Sequence, residues 1–203
     1  QKVLFHTDSV QALGNMPIDV KELGIDMMSM SAHKIYGPKG VGAMYIRKGV
    51  RIANLLEGGA QENSKRAGTE NLPGIVGFGK AAELAFDGLV THIKHSRELR
   101  DYVIDRILTE IPNTTLNGDP KKRHPGNVNI TFDYIEGEAM LLMLDQFGIA
   151  VSTGSACSSK SLQASHVLTA IGVPPTHVHG TLRITVGDMT TKEQCDYLLD
   201  KLK

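Results

Sequence analysis

SMSAHKIYGPKGVGAMYIR, residues 29–47, holds two apolar runs on either side of a lysine and a glycine-rich turn. The first run starts at Ile25, in IDMMSMSAHK, where Met28 and Met30 alternate with Ser29 and Ser31. The second, GVGAMYIRK over residues 40–48, is equally short. Brief apolar runs bounded by turn signals predict buried strands. Upstream, VLFHTD at residues 3–8 repeats the pattern, an apolar run ending on polar residues. PIDVKELGI, between the first two strands, predicts a short helix or turn closed by Gly24. The class is α/β. In open α/β sheets ligands sit beyond the carboxyl ends of strands, where Asp8 and Lys34 both stand.

Downstream, glycines crowd residues 37–79, a stretch poor in regular structure and rich in places where a backbone can approach a ligand or another chain. Asn71 and Pro73 then mark a helix start. Apolar positions recur from Ile75 to Ile111, mostly at steps of three or four, until Pro112. The expectation is one helix of about 55 Å at ~1.5 Å per residue, long enough to link two domains. From Thr114 the pattern becomes a compact α+β unit. VNITFDY is a strand, EGEAMLLMLDQFG a helix ended by Gly148, and IAVST a strand. A Ser/Gly-rich loop about Cys157 follows, from Ser152 to about Ala164. SHVLTAIG is a short helix, TLRITVG a strand, and TKEQCDYLLDKLK a helix capped by Thr190 or Thr191. The predicted division is a first domain over 1–73, a linking helix over 74–112, and a small α+β domain over 113–203.

The 203 residues can bury a real core, roughly 70% of the unfolded surface at this size. The hydrophobic share of 41% and charged share of 22% fit a globular protein. Lys plus Arg equal Asp plus Glu at 22 each, so no basic field recommends a nucleic-acid partner. No apolar run approaches ~18 residues, so no membrane helix is expected. Two cysteines, Cys157 and Cys195, without a CxxC or a histidine cluster, argue against a structural zinc and a disulfide scaffold. A reducing cytoplasm is the expected compartment. The chain opens on Gln1 and enters an apolar run at Val3, which reads as a piece of something longer.

Each candidate residue has a plainer alternative. Lys34 follows a buried strand, and an amine held at the edge of a core can lose its proton and form a Schiff base; a surface lysine at a strand end is the alternative. Asp8 and Gln11 suit a cationic ring nitrogen and a ring oxygen, or ordinary turn chemistry. Cys157 lies in STGSACSSKS, where little would bury a thiol, which suits a nucleophile. Cys195 lies in an amphipathic helix and reads as core filler. Arg183, in an apolar strand, suits a substrate carboxylate or an edge position. KKRH at residues 121–124 reads as a solvated loop. His92 and His95 can share a helix face, but no third ligand is evident, so a solvated face is expected there and no metal site. The pair His177 and His179 lacks a third ligand for the same reason.

DSVQALG, SMSAHKIYGPKGVGAMYIR, GGAQENSKRAGTEN, STGSACSS and HGTLRITVG, in this order and spacing, resemble the cysteine desulfurases of the NifS/IscS type, fold-type I pyridoxal-phosphate enzymes of the class V aminotransferase group. The resemblance runs from Val3 to the last helix. It implies the carboxy-terminal part of a cofactor-binding large domain with a mixed, mostly parallel sheet, then the linking helix and small domain. It implies that Lys34 carries pyridoxal 5'-phosphate and that Asp8 pairs with the ring nitrogen. Gln11 is implied to bond the ring hydroxyl, and Ser31 and His33 the phosphate. Thr69 is implied to reach the phosphate of the neighbouring subunit of a homodimer. Arg183 is implied to clamp the carboxylate of L-cysteine, and Cys157 to take its sulfur. The sulfur then passes to an acceptor protein, such as an iron–sulfur scaffold or a sulfur carrier.

Chains of this family are roughly twice as long, and a Gly/Thr-rich phosphate loop and a ring-stacking histidine belong to the half not present here. The expectation is therefore weak cofactor binding and little desulfurase activity by this chain alone. Two alternatives stand beside the main reading. One is a selenocysteine lyase or other class V lyase, which the long Cys157 loop disfavours. The other is a non-catalytic fragment serving dimerisation or partner binding.

Overall fold

The computed structural model describes residues 3–153 and 165–203, so Cys157 and most of its loop lie outside the described residues. The chain forms two compact units, Gln1–Val90 and Thr91–Lys203.

The first unit is built on a three-stranded sheet of order β1-β2-β3, with β1 at His6–Asp8, β2 at Met27–Ser31 and β3 at Gly42–Ile46. β1 runs parallel to β2 and β3 antiparallel to it, so the sheet is mixed. β1 is shorter than the predicted run, because Val3, Leu4 and Phe5 stay exposed, and Phe5 O is tied down by the main-chain N–H groups of Asp26 and Met27. Residues 20–24 form a turn, with Gly24 at φ 65° where a side chain would be strained. β2 runs straight into a one-turn 3-10 helix, Ala32–Ile35, stopped by Tyr36 in the left-handed region. A short helical turn, α1 (Gln61–Ser64), precedes the longer α2 (Leu72–Asp87). The Asn71 side chain accepts the Gly74 N–H at 3.2 Å, and Pro73 occupies the first turn, where its missing N–H costs nothing.

Phe78 and Ala81 of α2 pack on Ala32 and Ile35. Gly37 permits that contact, since a Cβ there would meet Ala32 O at 2.9 Å and Ala81 Cβ at 3.0 Å.

The expected single long helix is two helices. α2 ends at Gly88, and α3 begins at Leu89 and runs to Glu110. Gly88 adopts φ −89°, ψ −2°, and glycine has the weakest helix preference after proline, so the break falls on it.

In the second unit β4 (Thr114–Leu116), β5 (Asn127–Phe132) and β6 (Thr181–Thr185) form an antiparallel sheet in that order. α4 (Gly137–Gln146), α5 (His166–Ala170), α6 (Pro175–Val178) and α7 (Lys192–Leu202) complete it. Alternation along β5 and β6 sends Val128, Ile130, Phe132, Leu182 and Ile184 into one core with Val103 and Ile107 of α3 and Leu199 of α7. Each such fully buried aliphatic side chain stabilises the fold by about 1.5–3 kcal/mol. The predicted strand at 149–153 is a single bridge, Ser152 to Arg183, although Ile149 and Val151 still pack on the core.

Two readings of surface groups change. His92 Nδ1 hydrogen-bonds the Asp188 carboxylate, and His95 Nε2 donates to Thr190 O at 2.9 Å, so both hold the β6–α7 turn instead of facing solvent. Arg123 of KKRH is half-buried, and its guanidinium donates to the carbonyls of Asn117, Asp119 and Asn127. Cys195 is buried as core filler. Among the described residues no helix is long and apolar enough to cross a membrane.

Candidate functional site

In the first unit the candidate residues gather at the carboxyl ends of β1 and β2. Asp8 closes β1, opposite Ser29 in the parallel register, and its side chain is exposed. Asp8 Oδ1 accepts the Val10 N–H at 2.9 Å, which fixes the carboxylate at the strand end. The turn that follows is anchored by Ser9, which is 4% exposed and whose Oγ donates to Ser29 O at 2.9 Å. Gln11 stands exposed on that turn, where its carbonyl accepts from Asn15 Nδ2 at 3.3 Å. One strand over, Ser31 Oγ and His33 Nδ1 share a hydrogen bond of 2.8 Å.

Lys34 occupies the middle of the 3-10 turn. Its neighbours Ala32 and Ile35 are 0% and 5% exposed, while Lys34 and His33 are exposed. The backbone is thus fixed in the core and the amine is presented to solvent, which matches the surface lysine at a strand end rather than an amine held at the core edge. Thr69 is exposed in the segment before α2. That segment is tied by Ala67 N–H to Leu56 O at 3.2 Å and by Gly68 N–H to Gln61 Oε1 at 3.1 Å. A pocket of about 450 Å³ between the turn after β1 and the end of α2 is lined by apolar side chains such as Leu13, Met16, Leu23 and Phe86, and contains none of these residues.

Arg183 lies in the second unit, at the centre of β6. It is paired on both sides, with Asn129 of β5 and with Ser152, so it is not an open-edge arginine. Among the described residues no carboxylate pairs with its guanidinium. A half-buried guanidinium without a partner is suited to a carboxylate brought by a ligand. Cys157 lies outside the described residues. Sequence reasoning passed over Asn129 and Ser152. The alternation in NVNITF is the signal that sets Asn129 on the face of Arg183.

The donor set fits pyridoxal 5'-phosphate. Lys34 is an exposed amine for an aldehyde, the hydrogen-bonded Ser31 and His33 suit a phosphate, and Asp8 is a carboxylate for a protonated ring nitrogen.

Comparison with known proteins identifies the family. The family model described as Aminotransferase class-V matches residues 1–198. The chain is 55% identical over 201 residues to a protein named cysteine desulfurase IscS from Dictyoglomus turgidum, covering 99% of this chain and 51% of the relative. It is 56% identical over 199 residues to the IscS of Methanosarcina thermophila, covering 98% of this chain and 49% of that one. Among solved structures, a NifS-like protein superposes with a TM-score of 0.88 at 37% identity, over 98% of this chain and 51% of its own. A NifS-like protein from Rickettsia africae gives a TM-score of 0.88 at 31% identity, over 98% and 52%. The chain spans about half the length of the curated relatives it matches. It belongs to the aminotransferase class-V family.

Proposed function

We propose that the protein acts as a pyridoxal 5'-phosphate-dependent cysteine desulfurase, converting L-cysteine to L-alanine and passing the sulfur to Cys157 as a persulfide. The observation that carries this reading is the exposed Lys34 amine on a core-anchored turn at the end of β2, one strand from the Asp8 carboxylate. Likeness to proteins named cysteine desulfurase over nearly the whole chain supports it.

Lys34 holds the cofactor, Asp8 faces its ring nitrogen, Gln11 bonds its ring hydroxyl, and Ser31 and His33 take its phosphate. Thr69 reaches the phosphate in the neighbouring subunit of a homodimer. When bound, the cofactor supplies an electron sink for the substrate's α-carbon. Arg183 binds the substrate carboxylate and orients the α-carbon, while the Lys34 amine moves the α-proton. The Cys157 thiolate attacks the sulfur of L-cysteine; the S–S bond forms as the substrate's C–S bond breaks, and the carbon fragment leaves as L-alanine after protonation. The persulfide sulfur then passes to an acceptor protein, an iron–sulfur scaffold or a sulfur carrier, in the cytoplasm.

Burial pushes the Cys195 thiol above its ordinary range, which disqualifies it as the competing nucleophile. Reconstitution with pyridoxal 5'-phosphate is expected to give an absorbance band near the visible edge that Lys34→Ala removes. Cys157→Ser is expected to abolish the persulfide formed from L-cysteine while leaving that band, and Cys195→Ser to spare both. Loss of the persulfide in Cys195→Ser alone would overturn the assignment of the nucleophile. A protein that takes up no cofactor under any condition, even with an amino-terminal half added, would instead be a non-catalytic binding module.

A further inference from the structure

The sheet of the second unit has a polar face as ordered as its apolar one. Asn129 and Thr131 of β5 point to the same side as Thr181 and Arg183 of β6, since Thr131 pairs with Thr181 and Asn129 with Arg183. Asn117, just past β4, donates from Nδ2 to Asn129 Oδ1 at 2.8 Å and to Thr131 Oγ1 at 2.9 Å. Thr131 Oγ1 lies 3.2 Å from Thr181 Oγ1 and closes the row. Exposure opens along it. Thr181 and Thr131 are 0% and 1% exposed, while Asn129 and Arg183 are half-buried.

Main-chain bonds fix how near Asn129 and Arg183 come. Arg183 exchanges both its backbone bonds with Ser152, N–H to O at 2.6 Å and O from N–H at 3.1 Å. Asn129 O accepts from Asn117 N–H at 2.9 Å on the other side. Neither residue bonds the other through its main chain, so they form a non-hydrogen-bonded antiparallel pair. In such pairs Cα atoms lie about 4.5 Å apart and side chains are at their closest. The Asn129 amide oxygen is held by Asn117, and among the described residues Asn129 Nδ2 donates to nothing. A clamped amide therefore presents two N–H donors beside a guanidinium that pairs with no carboxylate among the described residues.

We propose that Asn129 is a second substrate-binding residue of the carboxylate site, its Nδ2 donating to the carboxylate that Arg183 binds, with Asn117, Thr131 and Thr181 as its mount. This rests on the reading of Arg183 as the carboxylate arginine. A guanidinium fork offers the carboxylate two parallel N–H bonds; an added fixed donor to one carboxylate oxygen settles which way the acid seats and strengthens rejection of analogues lacking it.

The test titrates the protein, in the presence of pyridoxal 5'-phosphate, with L-alanine and with L-alaninamide, which lacks the carboxylate, following the ¹⁵N side-chain resonances of Asn129 and Arg183. Both are expected to shift with L-alanine and neither with L-alaninamide. Asn129→Ala should weaken the L-alanine affinity seen at Arg183 about tenfold, as for a lost hydrogen bond to a charged group. Asn129→Asp, nearly isosteric, should weaken it further, because its carboxylate repels the ligand's and competes for the guanidinium. A merely structural role would leave Asn129→Asp the milder variant, and that order overturns the proposal. So does an Arg183 response that Asn129→Ala leaves unchanged. If Arg183 does not respond to L-alanine, or responds equally to L-alaninamide, the reading of Arg183 itself fails and takes the proposal with it.

Discussion

Asp26 is 1% exposed and belongs to no catalytic role, yet it ties all three strands of the first unit together. Its Oδ2 accepts the Phe5 N–H at 2.9 Å ahead of β1, and Arg47, just past β3, forms an ion pair with its Oδ1. The two partners are not equivalent. Arg47 is 38% exposed on its side chain and can turn to water when the carboxylate is removed. Asp26 has no such exit. Arg47→Ala should therefore cost about 3–5 kcal/mol by stranding a buried charge, and Asp26→Ala less, about 1–3 kcal/mol, mainly for the unpaired Phe5 N–H. Urea unfolding of the two variants and of the double variant checks this, the double variant being expected to lose less than the sum. Nothing in IDMMSM announces Asp26, because its partner is 21 residues on and is delivered by the Met27–Ile46 register. Lys34, Asp8 and Arg183 stand out as candidates for the opposite reason: each lies within or next to a short apolar strand, where a polar group needs a purpose, while Ser31 is picked out by the family resemblance alone.

At the scale of elements, legibility follows how local the cause is. The α7 start is legible to within one residue, Thr190 or Thr191, and the capping box that places it on Thr191 lies within four residues. Thr191 Oγ1 accepts the Gln194 N–H at 3.3 Å, and Gln194 Oε1 accepts the Thr191 N–H at 3.0 Å. The break at Gly88 was hidden, because the apolar spacing continues across it and only the backbone preference of one residue interrupts the helix. The run at 149–153 misled for a third reason. Its side chains reach the core as a strand's would, while its backbone meets β6 at Ser152 only. The cap matters beyond its own turn, because Cys195, Leu198 and Leu199 enter the core from α7. Thr191→Ala should lower the stability of the second unit by about 1 kcal/mol, and Thr191→Ser should retain most of it. Hydrogen exchange should localise the loss to the first turn of α7, beginning with the Gln194 amide.

Across the whole molecule the two units differ in how much core each possesses. Among the described residues Phe78 and Ala81 on Ala32 and Ile35 form a four-residue cluster in the first unit, where Val3, Leu4 and Phe5 ahead of β1 stay exposed. Among the described residues the second unit joins fourteen buried residues, from α3, α4, α7, β5 and β6 together with Val186 just past β6, into one cluster. Stability scales with apolar surface removed from water, so the first unit should unfold at lower urea than the second. Hydrogen exchange at Met28, Met30 and Phe78 should report the first transition, and at Val128, Ile130 and Leu182 the second. The proposed cofactor residues Asp8, Ser31, His33 and Lys34 all fall in the weaker unit. A ligand stabilises only the state that binds it, by about 2.7 kcal/mol at a hundredfold excess over its dissociation constant. Pyridoxal 5'-phosphate should accordingly raise the first midpoint and leave the second where it was. Lys34→Ala should shrink that shift without moving the cofactor-free midpoint, because the Lys34 side chain is exposed and packs in no core. Coincident loss of protection at Phe78 and Val128 at every urea concentration would show a single cooperative unit and defeat the prediction.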